Sequence, residues 1–285
     1  RELTLPYISV ADRANSRTRD VPVTAHPLHC AVLCFSHASY GVAVVPRAVW
    51  ALAQEHEREI WRGVWMEEDR IEEHRRAFRS YACLPLDLGH VLEVGAGPWT
   101  QTRAILHTRP DLHVESLTVF DPAADFYMNH VPTCAYRGGK LRRLNGGVFP
   151  FPLRVMAYQG EQLGGQQFDS VVSINVLEHV ENAFELLNRL HAVLRPGGIL
   201  VFHDRFFEHS FDAAHQLGYA FMLHPIRLRR AVLDWLVADM DVLFNNCDAD
   251  HDGRDGEQSY YIIARKRHAL AAGAGPSDAE SETPR

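Results

Sequence analysis

The sequence predicts an α/β fold: a seven-stranded, mostly parallel sheet with helices on both faces, preceded by an N-terminal helical extension. Three observations predict it. Short apolar runs alternate with helical stretches between residues 90 and 266. The first run ends in Gly95-Ala96-Gly97, a turn that leads into a helical pattern. The amphipathic stretch after the fourth run stops at Arg195-Pro196-Gly197-Gly198, and a further apolar run follows. Such alternation builds a parallel sheet, because each crossover lays a helix against one of its faces.

The elements follow in order. Residues 1–45 show no clear period and read as an irregular N-terminal segment. From Pro46, the apolar residues Val49, Trp50, Leu52, Ile60, Trp61, Val64 and Trp65 recur at three- and four-residue spacings, which predicts a helix. Glu68 to Arg79 is heavily charged and predicts a second, more solvated helix. Residues 46–88 are therefore expected to form a helical extension that lids the rest. Residues 89–266 carry the sheet. Strands are expected at 90–95, 113–120, 151–159, 168–174, 199–204, 240–244 and 259–266, and helices from the glycine turn to about His107, at 123–130, at 180–194 and at 226–237. In the 180–194 stretch Val180, Ala183, Leu186, Leu187, Leu190 and Val193 share one face. Residues 138–147 are a turn-rich insertion, and the short stretch between the third and fourth strands leaves little room for a full crossover helix. Residues 267–285 are small and polar and read as a disordered tail.

Composition narrows the function. With 285 residues, 46% hydrophobic, the chain can bury a sizeable core. The formal net charge of -7 disfavours generic binding to a nucleic-acid backbone. No segment has the length and apolarity of a membrane span. Five cysteines are too few and too odd in number for a disulfide framework, which points to a reducing compartment and a cytoplasmic location. The start at Arg1 is read as a fragment or a processed product, with a removed targeting segment left open. His26, His29, Cys30, Cys34 and His37 are numerous enough to hold zinc, but the apolar residues between them read as a buried segment. Asn175 and Asp204, on separate strands, are too thin a set for a divalent cation. No metal is therefore expected.

The glycine turn suits a ligand. Gly95 and Gly97 permit a tight turn and close approach to the backbone, and the following helix offers unpaired N–H groups. The third glycine of a dinucleotide fingerprint would fall at Thr100, and Trp99 crowds the space a pyrophosphate needs. Asp121, after the second strand, can accept hydrogen bonds from ribose hydroxyls or cap the helix that follows it. Glu161 is either a polar group near an adenine edge or a solvated loop acid.

VLEVGAGP (91–98), LTVFDP (117–122) and FDSVVSINVLEHVENAFELLNRLHAVLRPGGILVFHD (168–204) together resemble the class I S-adenosylmethionine-dependent methyltransferases, in particular the small-molecule, type 11-like group. The resemblance spans about Gly89 to Lys266 and implies a Rossmann-like sheet and S-adenosylmethionine as cofactor. It implies that Glu93, Val94, Gly95, Ala96, Gly97 and Pro98 pass beside the methionine end of the cofactor. It implies that Asp121 and Pro122 meet the ribose and that Gly160, Glu161 and Gln162 lie near the adenine. Asn175, Val176 and Leu177 would line the cofactor beside the methyl group, and Trp61 is a candidate cap. Relatives often have a small residue where Trp99 sits.

Methyl transfer from a sulfonium is an in-line displacement, so alignment and water exclusion dominate. A hydroxyl or ammonium acceptor also needs a base. His179, His203 and Asp204 are the candidates; equally, His179 can pack or cap a helix and His203-Asp204 can be a strand-end hydrogen-bonding pair. Arg205 can meet an acceptor carboxylate or pair with Asp204, and Tyr127, His130 and Tyr136 can line an acceptor pocket. RLRR (227–230) reads as a solvated helix face. The expected function is methyl transfer to an O or N atom of a small molecule, with no nucleic-acid or membrane partner and no stated oligomeric state. The rivals are a catalytically silent methyltransferase-like scaffold, an NAD-dependent oxidoreductase and an RNA methyltransferase.

Overall fold

The computed structural model describes residues 36–37, 41–63, 71–207, 224–247 and 257–268. The irregular segment 1–35 with His26, His29, Cys30 and Cys34, the end of the first expected helix at Val64 and Trp65, and the tail beyond residue 268 lie outside the described residues. At His37 only the strand assignment is described.

The elements are β1 (Ser36–His37), β2 (Gly41–Val42), α1 (Arg47–Gly63), α2 (Ile71–Ala77), β3 (His90–Val94), α3 (Gln101–Thr108), β4 (Ser116–Phe120), α4 (Ala124–His130), β5 (Leu153–Met156), β6 (Phe168–Ile174), α5 (Ala183–Val193), β7 (Leu194–Phe207), β8 (Arg227–Leu228), α6 (Arg230–Leu236), β9 (Met240–Asn246) and β10 (Glu257–Lys266). Seven strands form one sheet in the order β5-β4-β3-β6-β7-β10-β9, and β1, β2 and β8 form a small separate sheet. Strands β3 to β7 pair in parallel, and β10 is antiparallel to both β7 and β9.

Alternation within each strand divides the core. Leu92, Val171, Leu200 and Ile262 belong to one apolar cluster, which takes in Leu186, Leu187 and Leu190 of α5. Their neighbours Val91, Val172, Val201 and Ile263 belong to the other, with Ile105 of α3, Phe78 and Tyr81. A two-residue period puts successive side chains on opposite faces, and helices on both sides let both be apolar. Among the described residues no helix is long and apolar enough to cross a membrane.

Two local readings are corrected. The Arg195–Gly198 stretch is not a turn before the fifth strand: β7 starts at Leu194 and includes it, with the β6 register jumping between Phe168↔Leu194 and Ser170↔Ile199. Gly197, at φ +79°, supplies the irregular geometry, while Lys266 Nζ donates to the carbonyls of His191 in the last turn of α5 and of Leu194 just after it. The expected 226–237 helix begins instead at Arg230, because Arg227 and Leu228 pair with Val42 and Gly41. Between β5 and β6 only a single 3₁₀ turn, Gly160–Gln162, appears.

The sheet positions the site. The chain runs outward from β3 to β5 and then returns to place β6 on the other side of β3. That reversal parts the loops at the carboxyl ends of β3 and β6 and leaves a crevice between them.

Candidate active site

A cavity of about 420 Å³ opens at this crevice. The loop after β3 forms one wall. Gly95 and Gly97 both have positive φ, +65° and +56°. A Cβ on Gly95 would come within 2.5 Å of Val176 Cγ2, whereas one on Gly97 would meet nothing within 4 Å. The β3 and β6 loops therefore touch at Gly95, and the backbone at Gly97 borders open space.

Buried carboxylates hold this wall. Glu93, 1% exposed, accepts from the N–H groups of Gln101 and Thr102 at the start of α3. Burial raises its carboxyl to about 7 against the opposing pull of the Thr102 and Gln101 hydrogen bonds. Asp121, 5% exposed, accepts from Gly97 N at 3.0 Å through Oδ2 and from Ala123 N at 2.8 Å through Oδ1. Burial raises its carboxyl as well, opposed by those two bonds. Each oxygen keeps a second lone pair, and Asp121 borders the cavity. Thr100 occupies the third-glycine position at φ +56°, a strained conformation for a β-branched residue. Its Oγ1 accepts from Arg103 N and caps α3.

Trp99 serves the wall and its cover together. Its Nε1 donates to Thr133 Oγ1 at 3.2 Å, and its ring meets Trp61 of α1 edge-on at 5.1 Å. The Tyr136 hydroxyl donates to Gly97 O. Helix α1 crosses the cavity, where Trp50, Gln54, Glu57 and Trp61 line it. The side chains of Trp50 and Gln54 both donate to the carbonyl of His179, each at 3.0 Å.

The opposite wall follows β6. Asn175, at φ +56°, starts a turn whose N–H groups at Val176 and Leu177 donate to Asp204 Oδ2. Asp204 Oδ1 accepts from its neighbour Arg205 N, so this 1%-exposed carboxylate is committed to backbone. Burial and the nearby Glu178 charge raise its carboxyl. His203 is fully buried, its ring stacked on Tyr261 at 3.9 Å and tilted toward His74 at 5.5 Å. His179 does line the cavity, between Glu178 and Glu57. Glu161 Oε1 accepts from the N–H groups of Glu181 and Asn182, and its residue also borders the cavity.

Of the residues singled out from sequence, Trp61, Gly95, Ala96, Gly97, Pro98, Trp99, Asp121, Pro122, Tyr127, Gly160, Glu161, Asn175, His179 and Arg205 line the cavity, whereas His130 and Tyr136 do not. Glu93, Val94, Val176, Leu177 and Asp204 stand behind the walls, Gln162 faces a separate pocket near Leu163, and His203 lies in the core. Glu178, His224 and Glu57 also line it and went unassigned from sequence. Glu178 neighbours His179 in the LEHV segment, which was the available signal; His224 and Glu57 carry none. Burial works against the Glu178 carboxylate, but the His224 hydrogen bond and the charges of His224, His179 and Arg205 outweigh it and hold the group well below the usual carboxylate range.

Comparison with known proteins gives one family match and a likeness of fold. Residues 92–200 match the family model described as a methyltransferase domain. No curated protein sequence matches the chain significantly. Among solved structures, the 4+2-cyclase SpnF superposes with a TM-score of 0.54 at 14% identity, covering 82% of this chain and 100% of that one. The N-methyltransferase NodS of Bradyrhizobium japonicum WM9, in complex with S-adenosyl-l-homocysteine, superposes with a TM-score of 0.50 at 16% identity, covering 75% and 98%. At such identities the likeness is one of fold.

Proposed function

We propose that the protein, whose residues 92–200 match the model of a methyltransferase domain, transfers a methyl group from S-adenosylmethionine to an oxygen or nitrogen atom of a small molecule. One observation carries this reading: the positive-φ Gly95–Gly97 loop, bound to Asp121, opens on a cavity at the sheet's switch point. The cavity volume of about 420 Å³ lies in the range of small-molecule sites.

The residues fit the cofactor. The space beside Gly97 would be filled by any side chain, and Asp121 keeps lone pairs for ribose hydroxyls. The Gly160–Gln162 turn and Glu161 form the end suited to an adenine edge. Bound S-adenosylmethionine would supply an activated methyl on a sulfonium. The protein's part is then alignment and exclusion of water, which α1 supports by crossing the cavity with Trp50 and Trp61. Helix α1 thus acts as a cover over the cavity at the carboxyl end of the sheet. His179 is the proposed base: its ring borders the cavity and its Nδ1 has no hydrogen-bond partner. His203, packed on Tyr261, and Asp204, bound to three backbone N–H groups, are proposed to hold that wall in place.

The test is product formation. Incubation with S-adenosylmethionine and a panel of hydroxyl, phenol and amine acceptors should release S-adenosylhomocysteine with at least one class. His179→Gln should lower kcat and leave cofactor affinity near the parent value. Turnover with no panel member would overturn the methyl-transfer reading, and release by His179→Gln at the parent rate would overturn the assignment of the base.

A further inference from the structure

Glu178, His179 and His224 meet on the cavity wall that follows β6. A carboxylate oxygen of Glu178 and one ring nitrogen from each histidine all lie within 4.8 Å of one another. Glu178 Oε1 is 3.2 Å from His224 Nδ1 and 3.6 Å from His179 Nε2, and the two rings stand edge to face at 4.6 Å. Ligands on one cation at about 2.1 Å sit about 3 to 4 Å apart, so small side-chain rotations bring this set into coordination. Arg205 approaches the other oxygen, Oε2, at 3.8 Å and leaves Oε1 to the histidines. On the far side of the His179 ring, Nδ1 faces Glu57 Oε2 at 4.0 Å. A carboxylate behind a ligating imidazole is the usual outer support of a metal-bound histidine.

We propose that Glu178, His179 and His224 form a divalent-cation site of the two-histidine, one-carboxylate type. Imidazole and carboxylate ligands together suit a transition-metal ion such as Zn²⁺, Mn²⁺ or Co²⁺ better than an all-oxygen cation site does. Three protein ligands leave positions open, and these face the cavity. The acceptor class that fits is a chelating oxygen pair, either vicinal hydroxyls or a hydroxyl beside a carbonyl. Arg205 and Asn175 border the same space. Binding to the cation acidifies the acceptor hydroxyl, whose proton leaves to water. The oxygen then forms the new C–O bond as the S–CH₃ bond breaks, and the electron pair returns to sulfur to give a neutral thioether. With a cation bound, His179 is a ligand and no separate protein base is needed. The acceptor part of this inference rests on the proposed methyl transfer; the cation part does not.

The probe is Co²⁺, titrated into the full chain without methyl donor and followed by its visible absorption. The chain carries seventeen histidines, so the variants decide the assignment. His224→Ala and His179→Ala should each weaken the tightest Co²⁺ site by at least about tenfold. The affinity of the His224→Ala variant for S-adenosylhomocysteine should stay within about twofold of the parent, on the proposed placement of cofactor and cation at different ends of the cavity. Should either variant fold poorly, X-ray absorption of Co²⁺ on the parent chain should show two imidazole nitrogens, and fewer would overturn the site. Co²⁺ affinity unchanged in both variants would overturn it too. Co²⁺ binding with no S-adenosylhomocysteine binding would keep the cation site and sink the methyl-transfer reading.

Discussion

Gly95 and Gly97 stand two residues apart in one loop, yet alanine should do different things at each. Both have positive φ, so either substitution carries the left-handed cost of about 1–2 kcal/mol, partly offset by the reduced freedom of the unfolded chain. At Gly95 the new methyl would also sit 2.5 Å from Val176 Cγ2, with Cγ1 at 2.8 Å. Overpacking adds about 1–3 kcal/mol, giving a total destabilisation of about 2–4 kcal/mol for Gly95→Ala. At Gly97 the methyl enters open space, so Gly97→Ala should cost only about 1 kcal/mol. That open space is where the cofactor is proposed to lie, so Gly97→Ala should weaken S-adenosylhomocysteine binding by at least about tenfold, or 1.4 kcal/mol. Urea unfolding and isothermal titration calorimetry on the two variants read both quantities. Gly97→Ala binding as tightly as the parent, or Gly95→Ala as stable as the parent, would refute the reasoning.

Other outcomes follow from the same geometry. Glu93 holds its proton up to about 7 in the fold, whereas the ordinary value is 4.5. Its protonation therefore favours the native state most at acid pH, and that contribution is lost as pH rises from about 4.5 to about 7, by at most about 3 kcal/mol. Glu93→Gln should flatten this part of the stability–pH profile measured by urea unfolding, and parallel profiles would contradict it. Trp99→Ala removes the edge contact with Trp61 and the bond to Thr133. It should cost about 1 kcal/mol or more of stability, measured by thermal unfolding, and weaken cofactor binding by loosening α1 over the cavity. His203→Leu loses the stack on Tyr261 without touching the cavity. Its melting temperature should fall while S-adenosylhomocysteine affinity holds; a matching loss of affinity would contradict the placement.

The parallel half of the sheet was readable because its strands are apolar on both faces. HVLEV and FDSVVSI are continuous runs, and α5 announces itself by the spacing of Ala183, Leu186, Leu187 and Leu190. The corrected readings failed where long-range pairing overrides local turn chemistry. Arg195-Pro196-Gly197-Gly198 reads as a turn, but β6 pairs with Leu194 before it and with Ile199 after it, so it lies within β7 as an irregularity. Arg227 and Leu228 read as helix until Gly41 and Val42 pair with them. The site was legible by position more than by direction. Sequence places His203 and Asp204 at a strand end, but which way each side chain points depends on Tyr261 and on the turn at Val176. His224 meets Glu178 across a separation of 46 residues that no local pattern spans.

The central claim is that the Gly95–Gly97 wall, Asp121 and the cavity between β3 and β6 bind an adenosyl-sulfur cofactor. Calorimetric titration of S-adenosylhomocysteine into the parent chain and Asp121→Ala, with NAD as the competing ligand, tests it most directly. One saturable site per chain is expected for S-adenosylhomocysteine, with affinity reduced at least about tenfold in a folded Asp121→Ala and no saturable heat from NAD. Absence of S-adenosylhomocysteine binding, or NAD binding in its place, would contradict the account.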